Sequence, residues 1–153
     1  TDGCGIPTIA VPLGNLALAM ARLGAPDDQP AHRQDACARI RRAMAQNPQM
    51  VGGSERANTR ILETLGERAP LKSGAEGVYG AAFPELGLGL ALKIDDGAPR
   101  ASEVYLMHLL RRLKLLDGEA GEALADLDRP PVMTRTGVQA GEIRAVTQVP
   151  GID

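Results

Sequence analysis

Residues 88–94 read L-G-L-A-L-K-I and alternate with a period of two. Leu88, Leu90, Leu92 and Ile94 share one face, while Gly89, Ala91 and Lys93 share the other. That pattern predicts a β-strand with one apolar face and one small face that another element can approach closely. A partner lies just upstream. Residues 71–83, L-K-S-G-A-E-G-V-Y-G-A-A-F, read as a second strand-like run, joined to the first through a P-E-L-G turn. Asp95-Asp96-Gly97 stops the pair. Two strands alone are marginal in water, so the rest of the chain must cover them.

The chain has 153 residues, enough for one domain with a core, and aromatic residues make up only 2%. The core must therefore be built from Leu, Ala, Val and Ile, with Met filling gaps. A net charge of −2 carries no electrostatic footprint for nucleic acid. No apolar run approaches the roughly 18 residues of a membrane span, and Thr1-Asp2-Gly3-Cys4 does not resemble a signal peptide. Two cysteines far apart do not form a disulfide framework. These features predict a soluble, cytoplasmic protein. The start at Thr1, without a methionine, is expected of a processed terminus or of part of a longer protein.

Around the strands, the apolar period lengthens to that of a helix. Residues 6–12, bracketed by Pro7 and Pro12, are expected to be extended. Leu13, Leu16, Ala17, Met20 and Leu23 then form one helical stripe, stopped by Gly24 and Pro26. Ala36, Cys37, Ile40, Ala43 and Met44 form a second stripe between residues 31 and 46, ended by Asn47-Pro48. After the Gly52-Gly53 joint, Ser54 is the expected N-cap of a third helix carrying Ile61, Leu62 and Leu65. Downstream, a helix is expected from near Ser102 to Asp117-Gly118, with Leu or Met on most sides and hence packed on two sides. A shorter helix to about Leu127 follows, and Pro130-Pro131 forbids continuation. The tail around Thr136-Gly137, with Val138, Ile143 and Val146, is predicted to extend the sheet. The fold class is α+β, an antiparallel sheet flanked by helices in a single domain.

Two clusters carry chemistry. Lys72-Ser73-Gly74 opens the first strand-like run, placing a cation, a hydroxyl and a side-chain-free position in succession. On a strand, Lys72 and Gly74 point to one face and Ser73 to the other. A lysine there stabilises developing negative charge near a serine, and the glycine admits substrate backbone. The triplet is similar to the Lys-Thr-Gly of serine β-lactamases and penicillin-binding proteins; the alternative is an ordinary exposed turn. The second cluster is Thr1-Asp2-Gly3-Cys4-Gly5, either a tight turn with a small thiol or a metal site with Cys4 as thiolate ligand. One thiolate does not hold zinc, which takes about four ligands. Cys37 belongs to an apolar stripe and reads as core, and neither His32 nor His108 has a ligand spacing to a cysteine. Thr1 itself is an N-terminal nucleophile candidate, opposed by the turn signal that follows it.

T-D-G-C-G-I-P, the L-x-x-L-A-x-A-x-A-R-L helix, K-S-G-A-E-G-V and A-L-K-I-D-D-G occur here in that order. Together they resemble the carboxyl-terminal half of the L-asparaginase II-type enzymes, a Ser-Lys class, over essentially the whole chain. The resemblance implies a fold like that of the serine β-lactamases and glutaminases, and hydrolysis of L-asparagine to aspartate and ammonia. It implies a catalytic lysine at Lys72 and a zinc site of two cysteines and a lysine, of which Cys4 is one member and Asp2 a neighbour. It also implies that the nucleophilic serines and remaining zinc ligands lie in an amino-terminal half absent from this sequence. The chain alone is therefore expected to hydrolyse asparagine little or not at all.

On this reading Lys72 supports the serine electrostatically and Ser73 bonds substrate or Lys72. Gly74 and Ala75 offer backbone to the substrate, and Glu76 meets its α-ammonium group or joins an ion pair. Asp2 and Cys4 recognise substrate through zinc. The expected partners are L-asparagine or a related amide, the amino-terminal half, and a second copy in a homodimer; nucleic acid and membrane are not expected. Two other readings are a non-catalytic module that binds its missing half through an open sheet edge, and a fragment of a penicillin-binding or β-lactamase-like hydrolase.

Overall fold

A computed structural model describes Thr1 and residues 3–146. In chain order the elements are α1 (Leu13–Gly24), α2 (Ala31–Gln46), α3 (Pro48–Gly52), α4 (Ala57–Leu65), β1 (Leu71–Gly74), β2 (Val78–Phe83) and β3 (Leu88–Lys93). They are followed by α5 (Pro99–Arg112), α6 (Glu119–Ala123), α7 (Ala125–Asp128), β4 (Pro131–Met133) and β5 (Gln139–Glu142). The architecture is α+β. β1, β2 and β3 form one antiparallel sheet in that order, and β4 and β5 form a separate two-stranded ribbon.

The sheet has three strands rather than the two anticipated. The expected single run over 71–83 breaks at Ala75-Glu76-Gly77, where Glu76 and Gly77 adopt φ of 60° and 66° and fold β1 back onto β2. Glycine accepts that conformation freely, but a glutamate there is uncommon, so the turn is held from outside. Lys93 Nζ donates to the Glu76 carbonyl at 2.6 Å and to the Ile94 carbonyl at 2.5 Å, pinning the turn to the end of β3.

The two sheet faces are used as the alternation predicted. Ser73 pairs with Tyr79 and Leu71 with Ala81; Leu92 and Leu90 stand opposite the same β2 residues. This apolar face packs against α4 and α5 around Ile61, Leu62, Leu65, Leu106, Met107 and Leu110. Phe83, the one phenylalanine of the chain, is fully buried there. The small face takes α1. A Cβ on Gly89 would land on the Ala17 carbonyl oxygen and the Ala21 nitrogen, so only glycine lets this helix approach so closely.

Helix boundaries shift for local reasons. α4 begins at Ala57 with Arg56 at the N-cap, not Ser54, and the extra short helix α3 occupies 48–52 with Pro48 in its first turn. α5 starts at Pro99 and ends at Arg112, and Leu115 and Leu116 reach the core from the turn beyond it. α2 departs most from expectation. None of its residues is buried, and Ile40 of its predicted stripe is 49% exposed. It docks instead through Arg41, whose Nη1 donates to the Leu23 carbonyl at 2.6 Å near the end of α1. Cys37 is half-buried in the groove between α1 and α2, rather than a core residue.

The tail does not extend the main sheet. Among the described residues β4 and β5 pair only with each other, and Thr134-Arg135-Thr136-Gly137 is their turn, closed by Val138 N donating to Thr134 Oγ1 at 3.0 Å. The ribbon's apolar side chains do not reach the core: Val132, Met133 and Val138 all remain exposed. Among the described residues no helix is long and apolar enough to cross a membrane.

Candidate functional site

The end of β1 opens onto a cleft of about 170 Å³ on the α4–α5 side of the sheet. Ser73, Gly74, Ala75 and Glu76 line it, so four of the sequence-predicted site residues come together there. α4 contributes Asn58, β2 contributes Tyr79, and α5 contributes Ser102 and Glu103; Arg56 lies just before α4.

Asn58 fixes Ser73. It is 1% exposed, and its Oδ1 accepts a hydrogen bond from the Ser73 backbone N–H at 2.7 Å. That bond orients the amide, leaving Nδ2 buried with no partner. Asn58 is held in turn by its surroundings. Neighbouring Thr59 donates from Oγ1 to the Gly53 carbonyl at 2.5 Å, and a Cβ on Gly52 would lie 3.0 Å from Asn58 Nδ2. The Gly52-Gly53 joint thus does more than flex: it lets α3 close over the first turn of α4. On the opposite wall, Ser102 is 2% exposed and donates from Oγ to the Pro99 carbonyl at 3.0 Å.

Tyr79 and Glu103 set the electrostatics. Burial, reinforced by the Glu103 charge and partly offset by Arg56, pushes the Tyr79 phenol up to about 12. At neutral pH Tyr79 is a hydroxyl and not a base. Burial also raises the Glu103 carboxyl above its ordinary value, against the opposing pull of Arg56. Glu103 is half-buried and Arg56 exposed, and neither side chain makes a hydrogen bond or ion pair among the described residues. The cleft therefore holds two unbonded charges of opposite sign among hydroxyls. Neither lysine nor histidine is among its lining residues; the ionisable groups that line it are Arg56, Glu76, Tyr79 and Glu103.

Lys72 lies on the other face of the sheet and does not line the cleft. It is exposed on the edge strand, and its Nζ donates to the Ser73 carbonyl at 2.7 Å, with Ser73 Oγ more distant at 3.5 Å. Cys4 is exposed in the amino-terminal segment and does not line the cleft either. Asp2 lies outside the described residues. Among the described residues no three His, Cys, Asp or Glu side chains gather as metal ligands, so Cys4 alone does not fit a zinc centre. His32 is exposed, and His108 stacks on Tyr105 with centroids 5.9 Å apart.

Arg56, Asn58, Tyr79 and Glu103 were not singled out by sequence reasoning. Two signals pointed to them: Tyr79 becomes the cross-strand partner of Ser73 once 71–83 is divided, and Glu103 is a lone acid on a leucine-rich helix. Two comparisons bear on the site. The family model described as L-asparaginase II matches residues 1–145, which include every residue that lines the cleft. No curated protein matches the chain.

Proposed function

The chain belongs to the L-asparaginase II family, and from that premise we propose that it forms part of an amidohydrolase cleaving L-asparagine to L-aspartate and ammonia. The match over residues 1–145 carries the reading. The cleft supports it, because a rigid serine-bearing strand end meets a pocket of single-amino-acid size.

In this reading the reaction is acyl transfer through a serine activated by lysine. Ser73 is a substrate contact and not that serine, since Lys72 Nζ sits closer to its carbonyl, at 2.7 Å, than to its Oγ, at 3.5 Å. The nucleophile is supplied by a segment outside these 153 residues, docking against the Lys72 face of β1. Lys72 then presents its ammonium to the incoming serine and to the oxyanion that forms when the amide carbonyl is attacked. Breaking of the carbon–nitrogen bond releases ammonia, and water discharges the acyl-enzyme as aspartate. Ser73, Gly74 and Ala75 line the substrate with hydroxyl and backbone groups. The amino-terminal half is the proposed partner, with a homodimer as the complete form and the cytoplasm as its location. The resemblance also implies zinc, to which Cys4 would contribute one thiolate beside Asp2; the residues described here do not make that site, and no step is assigned to it.

Ammonia release from L-asparagine tests the reading. The complete enzyme should turn over, Lys72→Ala should lower kcat by about a hundredfold or more, and the 153-residue chain alone should show little or no activity. Normal turnover by Lys72→Ala would return the triplet to an ordinary strand end, and full activity from the isolated chain would remove the need for an outside serine.

A further inference from the structure

We propose that the cleft beside Ser73 reads the two charged groups of a free α-amino acid, Glu103 taking the α-ammonium and Arg56 the α-carboxylate. The inference rests on the amidohydrolase reading for its choice of ligand class, but the observations behind it are separate from Lys72 and from any nucleophile.

A half-buried carboxylate without a hydrogen-bond donor is costly, and a protein normally pairs it or gives it up. Glu103 is in that condition, with Arg56 lining the same cleft and yet not closing on it as an ion pair. A zwitterion between them would satisfy both at once. Arg56 is also the N-cap of α4, whose first turn has no side-chain cap and no acidic residue. A ligand carboxylate at that end would meet a guanidinium and the free N–H groups of a helix start together. The opposite arrangement would place an ammonium at a helix N-terminus, where the macrodipole disfavours it.

Size and surroundings narrow the ligand. About 170 Å³ is below the range of roughly 300–1,000 Å³ typical of drug-sized sites, so a single amino acid fits better than a peptide. A peptide would also lack the free ammonium or the free carboxylate. Glu76, the acid expected from sequence to meet the ammonium, is less suited. It is exposed, its carboxylate lies against Gly97, and its carbonyl is engaged by Lys93.

The test is calorimetric titration of the full protein, wild type and two variants, with four ligands. L-asparagine and L-norvaline carry both charged groups, succinamate lacks the amine and β-alaninamide lacks the carboxylate. Glu103→Gln should weaken L-asparagine and L-norvaline by about ten- to a hundredfold, the value of a charge-assisted hydrogen bond, and leave succinamate unchanged. Arg56→Gln should weaken the same two ligands and leave β-alaninamide unchanged. Wild-type affinity for L-asparagine in either variant, equal losses for the analogue lacking the relevant group, or no binding by the wild type would each overturn the inference. The two readings fail differently. Charge-dependent norvaline binding without amide hydrolysis keeps this inference and removes the amidohydrolase; hydrolysis at an unchanged KM in both variants does the reverse.

Discussion

Among single residues, Tyr79 most clearly links burial to chemistry. It is 3% exposed, yet its ring borders a polar cleft, and its phenol is held protonated up to about 12. In the unfolded chain the same group ionises near 10. The folded state therefore keeps a proton that the unfolded state has lost, and stability falls as pH rises between those two values. The loss should be on the order of 2 kcal/mol, since a tenfold difference in acidity between the two states corresponds to about 1.4 kcal/mol. Urea melts of wild type and Tyr79→Phe at pH 8 and pH 11 measure it: wild type should lose much of that stability and Tyr79→Phe should retain it. Equal losses in both would show that Tyr79 is not the group responsible. Lys72 teaches the complementary lesson: strand alternation starts it on the face opposite Ser73, yet at the edge strand its Nζ curls back to the Ser73 carbonyl at 2.7 Å and comes within 3.5 Å of Ser73 Oγ.

At the scale of elements, period-two alternation carried reliable information and helix stripes carried less. The small face of β3 was legible in Gly89 and Ala91 because a strand's side chains must alternate, whatever packs on it. The split of 71–83 was not, because A-E-G reads as strand-compatible unless Glu76 is placed at positive φ, and that placement depends on Lys93 from another strand. The α2 stripe misled for a similar reason. Periodicity reports which face is apolar and not whether anything described covers it. The candidate site was half legible: its serine end was written in the K-S-G-A-E-G motif, whereas Asn58 and Glu103 come from helices, and Arg56 from the cap before one, that meet the sheet only in three dimensions. The close α1–β3 approach gives an element-level test. Gly89→Ala should cost about 3 kcal/mol, because the obstacle is helix backbone that cannot rotate away. Gly80→Ala, on the same face, meets only the flexible Met20 side chain at 3.4 Å and should cost less than about 1 kcal/mol. Thermal melts of the two variants compare them directly; equal shifts would mean that α1 moves to accommodate either.

Over the whole molecule, among the described residues, one core between α4, α5 and the sheet carries the burial, and the amino-terminal segment and the tail ribbon add no buried residue to it. What joins the region after α5 to that core is partly apolar, through Leu115, Leu116 and Leu124, and partly ionic. Arg60 of α4 meets Asp126 of α7 with two bonds of 2.7 Å and also donates to the Ala123 carbonyl at 3.1 Å. Arg111 of α5 meets Asp128 at 2.7 Å. The Arg60 hydrogen bonds hold the Asp126 carboxyl below its ordinary value and raise the Arg60 guanidinium in return. A depressed acid stabilises the fold above its unfolded value, and that contribution is lost as pH falls through the lower folded one. Asp126 is 61% exposed at its side chain, so solvent screens the pair and limits it to about 0.5–1 kcal/mol despite the fork geometry. Asp126→Asn should therefore lower stability by that amount at pH 7 and low salt, and the difference should shrink as pH drops below 3.8, the ordinary value for this group. Added salt should shrink it as well. A difference unchanged by both acid and salt would identify the Asp126 effect as packing, leaving the leucines and the Arg111–Asp128 pair to hold the last helices in place.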